Sequence, residues 1–198
     1  MLSLAKEPII NLVTGEILSF ELLCRPRAMS IQEFFSTYDR IDLWGRELAC
    51  ILYGIDLQKT FRSPITMNIT LSSLSFFLKT NLTWEGGVEI VEWGPKTEID
   101  LAIATHLLKE RGLMVFADDL KLSEWEMWRD IQVDGYKVRK NDVEETLLEE
   151  LLGTQKILIV EEIETEEEKE WAKEIGFRFG QGYLFNTKKG EKNNAKKV

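Results

Sequence analysis

Short apolar runs alternate with amphipathic stretches along almost the whole chain. "EPIINL" and "EILSFELLCR" flank the glycine-containing turn "VTGE" and predict an antiparallel hairpin. "SIQEFFSTYD" and "LWGRELACILYGIDLQKTF" have helical spacing, "PITMNIT" reads as a strand, and "SSLSFFLKT" as a short helix. "GGVEIVEW" is a strand; "TEIDLAIATHLLKERG" is a helix that opens on a Thr97–Asp100 capping pattern and stops at Gly112. "LMVFADD" is a strand followed by a helix at "SEWEMWRDI" opened by Ser123. "QVDGYKV", "KILIVEE" and "FRFGQGYLF" supply three more strands, with helices at "NDVEETLLEELL" and "EEEKEWAKEIG" between them. This pattern gives eight strands, with helices between nearly all of them after the opening hairpin. Strand–helix alternation implies parallel strands joined by right-handed crossovers, and eight strands close a barrel. The expected fold is therefore α/β, a (β/α)8-type TIM-like barrel with an antiparallel first strand; a doubly wound open sheet is the alternative. The barrel is expected over residues 1–187, and "KKGEKNNAKKV" ends the chain in a lysine-rich, disordered tail over 188–198.

Active sites of such barrels lie at the C-terminal ends of the strands. The polar residues there are Glu21, Asn68, Glu92, Asp118, Asp119, Lys137, Glu161 and Gln181, so that nearly every strand from the second on delivers an oxygen or amine to one rim. Taken singly, each reads as a helix cap, a turn former or a solvated strand end. Together, five carboxylates at one mouth repel one another unless cations hold them. Oxygen ligands without paired His or Cys favour magnesium or manganese over zinc.

Composition narrows the classes. The chain has 198 residues, 44% of them hydrophobic, which suits one domain, or at most two small ones, with a sizeable core. A formal net charge of -9 argues against binding a nucleic-acid polymer, because counterion release needs a basic surface. Cys24 and Cys50 sit in apolar contexts without metal-ligand spacing and read as buried free thiols of a reducing compartment. The first residues lack a signal-peptide layout and no apolar run approaches a membrane span, so a cytoplasmic location and no membrane contact are expected.

Seven blocks, in order, carry a family resemblance. "EPIINLVTGEILSFELLCR" resembles the Q-P-I…T-G…E-A-L-x-R opening of EAL-domain cyclic di-GMP phosphodiesterases. "MNIT" is similar to that family's N-x-S, "VEIVEW" to E-L-T-E, "FADDL" to L-D-D-F-G-T-G, "VDGYKVR" to D-x-x-K-x-D, "IVEEIET" to A-E-G-V-E-T and "GQGYLF" to Q-G-Y-x-F. The resemblance implies two-metal hydrolysis of cyclic di-GMP to the linear dinucleotide, with magnesium or manganese as cofactor. By position it assigns Glu21, Asn68, Glu92, Asp118 and Asp119 to metal, Lys137 to the attacking water, and Glu161 to the neighbourhood of the second metal. Gln181 would support water and ligand, Glu164 would steady the loop after the aspartates, and Arg25 would bind phosphate.

The resemblance also breaks at definite places. Glu7 replaces the first glutamine, Leu22 the alanine of E-A-L, Arg139 the last aspartate of D-x-x-K-x-D, and Glu162 the glycine of A-E-G-V-E-T. "DDLKLSEW" lacks the two glycines that follow the paired aspartates in the family. A family-type homodimer is accordingly expected to be weak or absent. The alternative to a slow phosphodiesterase is a silent cyclic di-GMP receptor or a module that binds a protein partner. His106 and the Trp125/Trp128 pair read as structural.

Overall fold

The computed structural model describes residues 2–27, 29–91 and 99–186. Eight strands form a closed barrel in chain order: β1 (Leu2–Asn11), β2 (Ile17–Pro26), β3 (Ile65–Thr70), β4 (Gly86–Val91), β5 (Met114–Ala117), β6 (Gly135–Arg139), β7 (Ile157–Glu161) and β8 (Phe179–Gly180). β1 runs antiparallel to both β2 and β8, and every other pair is parallel. The hairpin prediction and the expected barrel thus coincide with the observed topology.

Helices cover the outside. Among the described residues these are α1 (Ile31–Phe35), α2 (Arg40–Phe61), α3 (Leu71–Phe77), α4 (Leu101–Glu110), α5 (Trp125–Trp128), α6 (Glu145–Gly153), α7 (Glu166–Glu174) and α8 (Tyr183–Asn186). Their starts follow from local chemistry. Ser30 and Glu33 form a reciprocal capping box, Asp39 caps α2 by accepting from the Ile41 and Asp42 N–H groups, and Thr165 with Glu168 caps α7. Asp100 caps α4 by accepting from the Ile103 N–H; Thr97 lies outside the described residues.

Two local expectations are corrected. The helix after β5 is not capped by Ser123. The chain first makes a 3-10 turn over Leu122–Glu124, in which the Lys121 N–H donates to the Glu124 carboxylate at 3.1 Å. The last strand keeps only two residues, because the chain leaves the sheet at Gln181 and enters α8. The predicted tail lies outside the described residues.

Period-two alternation fills the barrel from below and charges it from above. Met114, Phe116 and Asp118 share the inward parity of β5 and its end, as do Ile157, Ile159 and Glu161 on β7. The lower members form a small interior cluster of Ile9, Phe116 and Ile159, with Leu18, Met114, Ile157 and Phe179 packed on it. The outward parity joins the helices in the large core, where Trp125 and Trp128 are buried. His106 is exposed on α4, 3.4 Å from Glu110.

Candidate functional site

Above that interior cluster stands one buried ammonium. Lys137, on the inward parity of β6, has no exposed surface. Its Nζ lies 2.6 Å from Glu89 Oε2, 2.9 Å from Glu161 Oε1, 3.1 Å from Glu21 Oε2 and 3.2 Å from Asp118 Oδ1. Glu21 is further held on both oxygens: Asn68 Nδ2 donates to Oε1 at 2.7 Å, and Gln181 Nε2 donates to Oε2. Backbone bonds fix these side chains in turn. The Asp118 N–H donates to Ile90 O, the Leu120 N–H to Lys137 O, and the Gln181 N–H to Val160 O.

Of the residues singled out in sequence, the structure brings together Glu21, Asn68, Asp118, Lys137, Glu161 and Gln181. Glu92 lies outside the described residues. The carboxylate of β4 that enters this cluster is Glu89, fully buried and paired in register with Asn68. The strand register sets Glu89 beside Asn68 on the inner face of the barrel. That signal was present in "VEIVEW", read with the position of Asn68 in "MNIT".

Asp119 does not join the cluster. It takes a left-handed backbone (φ 52°) that sends its carboxylate to Arg139 Nε at 2.9 Å; Arg139 also lies 3.3 Å from Asp142. Aspartate tolerates this conformation better than the leucine and lysine that follow it. Without glycines downstream, the left-handed step falls on Asp119, and Leu120 turns into the core. Glu162, where the family has glycine, is also left-handed (φ 63°). Glu164 stands exposed at the rim, its N–H donating to Glu168 Oε2 at 2.7 Å. Arg25 is partly exposed, 3.8 Å from Glu7 Oε1, with Nη1 donating to the Cys24 carbonyl. A cavity of about 480 Å³ opens above these residues, lined by Glu7, Arg25, Asn68, Asp118, Glu161 and Gln181 among others.

Four carboxylates around one ammonium leave excess negative charge in a region of low dielectric. Burial pushes Asp118 up to about 6 and Glu161 up to about 8, offset only in part by Lys137. Glu89 is raised well above its ordinary range by burial and by Glu21. Burial also acts to raise Glu21, but the Lys137 charge and the bonds from Gln181 and Asn68 outweigh it and hold Glu21 low. Burial opposes the Lys137 charge, yet its carboxylate partners raise it well above the usual lysine value. The cluster therefore shares protons as a unit near neutrality.

A cation's fit can be judged from the acceptors left over. Asn68 Oδ1, Glu89 Oε1 and Gln181 Oε1 are buried and accept no hydrogen bond. The amides are oriented by Glu21, which takes their NH2 groups and leaves their oxygens free. These hard oxygens, with the surplus charge, fit one divalent ion of the magnesium or manganese kind. Yet among the described residues no group of three or more His, Cys, Asp or Glu side chains is arranged to hold a metal, because Lys137 fills the centre. The second position does not fit: Arg139 already neutralises Asp119.

Comparison with solved structures places this architecture. A standalone versatile EAL protein from Vibrio cholerae O395, in its c-di-GMP-bound form, matches with a TM-score of 0.72 at 18% identity over 92% of this chain and 90% of that one. An EAL domain protein from Listeria monocytogenes EGD-e matches at 0.69 and 19% identity, over 93% and 87%. The fold is that of EAL domains. Klebsiella pneumoniae BlrP1, in a calcium and cyclic di-GMP complex, also matches at 0.69 and 19% identity, and this chain spans 54% of its length. No protein-family model and no curated protein matches the sequence. No helix among the described residues is long and apolar enough to cross a membrane.

Proposed function

We propose that this EAL-fold chain takes up cyclic di-GMP in the cavity above Lys137 and acts chiefly as its receptor, with hydrolysis at most slow. Binding is supported by the seven sequence blocks in family order, the EAL fold, and the convergence of their polar residues on one mouth. The observation that favours receptor over enzyme is the 2.9 Å pair between Arg139 and Asp119, which takes the second aspartate out of the site.

The residues divide the work as follows. Arg25 leaves its long contact with Glu7 and grips a phosphate through two parallel hydrogen bonds. Lys137 holds the inner carboxylates together and offers positive charge to a phosphodiester above it. Glu161, raised to about 8 chiefly by burial, takes part in the proton sharing of the inner carboxylates near neutral pH. A divalent ion, when bound, would polarise the phosphodiester and lower the pKa of the attacking water. With one such position instead of two, attack and leaving oxygens are not stabilised together, and turnover suffers.

Titration calorimetry of the chain with cyclic di-GMP in calcium and in manganese, alongside chromatography of the linear product, tests this. Binding in both buffers with little product is expected. Brisk product formation in manganese would return the chain to the phosphodiesterases, and no binding in either buffer would leave it as a protein-interaction module.

A further inference from the structure

Cys24 and Cys50 belong to none of the chemistry above, yet both line the same cavity. Their meeting follows from how β2 packs on α2. Leu22 and Cys24 share one face of the strand, and Cys50 and Gly54 share one face of the helix. Gly54 lets the helix approach closely: a Cβ there would lie 3.2 Å from Leu22 Cδ1 and 2.4 Å from Met67 Sδ. The strand and the helix run in opposite senses here, so the close contact of Leu22 with Gly54 sets Cys24 opposite Cys50 one turn nearer the mouth. The two thiols are free and partly buried, and the ionisation of each is shifted chiefly by the other.

We infer that Cys24 and Cys50 form a reversible intramolecular disulfide that locks α2 onto the end of β2 and stiffens this wall of the cavity. The oxidant is a peroxide. The Cys24 thiolate attacks one peroxide oxygen, the O–O bond breaks, hydroxide leaves, and a sulfenic acid forms on Cys24. The Cys50 sulfur then attacks Cys24 Sγ, the S–O bond breaks and water leaves. Two thiols give up two electrons and two hydrogens, and one hydrogen peroxide becomes two waters.

The roles are asymmetric. The neighbouring Cys50 thiol and the nearby Arg25 charge lower the Cys24 thiol, although burial opposes them, while the Cys24 thiol, burial and the Glu47 charge push Cys50 up. Cys24 is therefore the attacking sulfur and Cys50 the resolving one. Bond formation requires the two sulfurs to close to about 2.05 Å. The closed loop contains α1 and the first half of α2, and Cys24 is joined directly to Arg25, so the bond bears on the phosphate-gripping end of β2. This wall responds to redox state whatever the cavity takes up.

The test uses the purified full chain, treated with hydrogen peroxide and compared with the reduced protein. Peptide mapping by mass spectrometry should show a Cys24–Cys50 link in a monomer, with the loss of two hydrogens from the intact mass and reversal by dithiothreitol. Amide hydrogen exchange in α1 and the first half of α2 should slow by roughly tenfold on oxidation. Cys24→Ser and Cys50→Ser, or the Ala variants where serine impairs folding, should show neither change. Thiols that stay free, a bond between two chains, or a disulfide that leaves exchange unchanged would overturn the inference. The mapping needs neither variants nor cyclic di-GMP, so its outcome is separate from the fate of the receptor reading.

Discussion

At the scale of single residues, the site is governed by one cation and the charge it must offset. Removing Lys137 leaves four carboxylates in a buried space without their shared cation, which costs about 3–5 kcal/mol when one side of such a pair is deleted. Lys137→Met should lower the denaturant midpoint accordingly. Manganese should then restore more stability to the variant than it adds to the native chain, because the vacated centre is where an oxygen-ligated ion fits. Equal manganese effects on both proteins would argue that the inner oxygens are no cation site. Glu47 gives a separate pH signature. It is buried on α2, where burial pushes it up to about 7 against the hydrogen bonds from Ser73 and Thr70. A carboxyl raised in the folded state contributes stability that is full below its unfolded value near 4.5 and is lost as pH rises through about 7. Glu47→Gln should remove that part of the decline, so the difference in melting temperature between variant and native chain should move in the variant's favour from acid pH to above 7. A pH-independent difference would mean that folding does not shift the Glu47 carboxyl.

At the scale of elements, the strand count, the antiparallel hairpin and the helix order were legible because each strand is an apolar run closed by a polar residue. Glu89 was not, because two glutamates three apart in "VEIVEW" satisfy the same motif, and the pairing with Asn68 that turns Glu89 inward is set by the strand register. The fate of Asp119 was hidden for a related reason. Sequence shows that glycines are missing after the aspartates, but it does not show which residue takes the left-handed step in their place. The short β8 was also obscure: "FRFGQGYLF" alternates like a strand, yet Gly182 turns it out of the sheet. Gly182 has φ 149°, and a Cβ there would meet the Ile163 backbone N and O at 2.3 Å. Since the neighbouring Gln181 is held by backbone bonds to Val160 and Ile163, Gly182→Ala should cost about 3 kcal/mol and loosen the Gln181–Glu21 contact. Chemical denaturation measures the first effect. A change below a few tenths of a kcal/mol would mean that the β8–α8 corner shifts freely. The Arg139 pair makes an independent prediction. Arg139→Asp frees Asp119 and adds a carboxylate beside it, so manganese stoichiometry by calorimetry should rise by one per chain, and linear product should increase. An unchanged stoichiometry would show that the left-handed turn, and not Arg139, keeps Asp119 out.

At the scale of the whole molecule, electrostatics sets how an anionic ligand can arrive. The chain carries a formal charge of -9, and its cavity is lined by Glu7, Glu21, Asp118, Asp119, Glu161, Glu162 and Glu164 against Arg25 and Arg139. Cyclic di-GMP carries two phosphodiester charges of the same sign as this surface. Long-range attraction therefore does not help the encounter; the protein's field opposes it until cations compensate. The salt response should consequently have the opposite sign to that of an ordinary phosphate binder. In chelator, added monovalent salt shortens the Debye length to about 10 Å at 0.1 M and screens repulsion, so binding should tighten as salt rises. Calcium should raise the affinity by at least roughly tenfold, because it neutralises the inner oxygens directly, and in its presence the salt dependence should flatten. Calorimetric titrations across a salt series, with and without calcium, measure both effects. Affinity that falls steeply with salt in chelator would mean that Arg25 and other cations dominate the approach, and that the acidic mouth is already neutralised by its own bound protons.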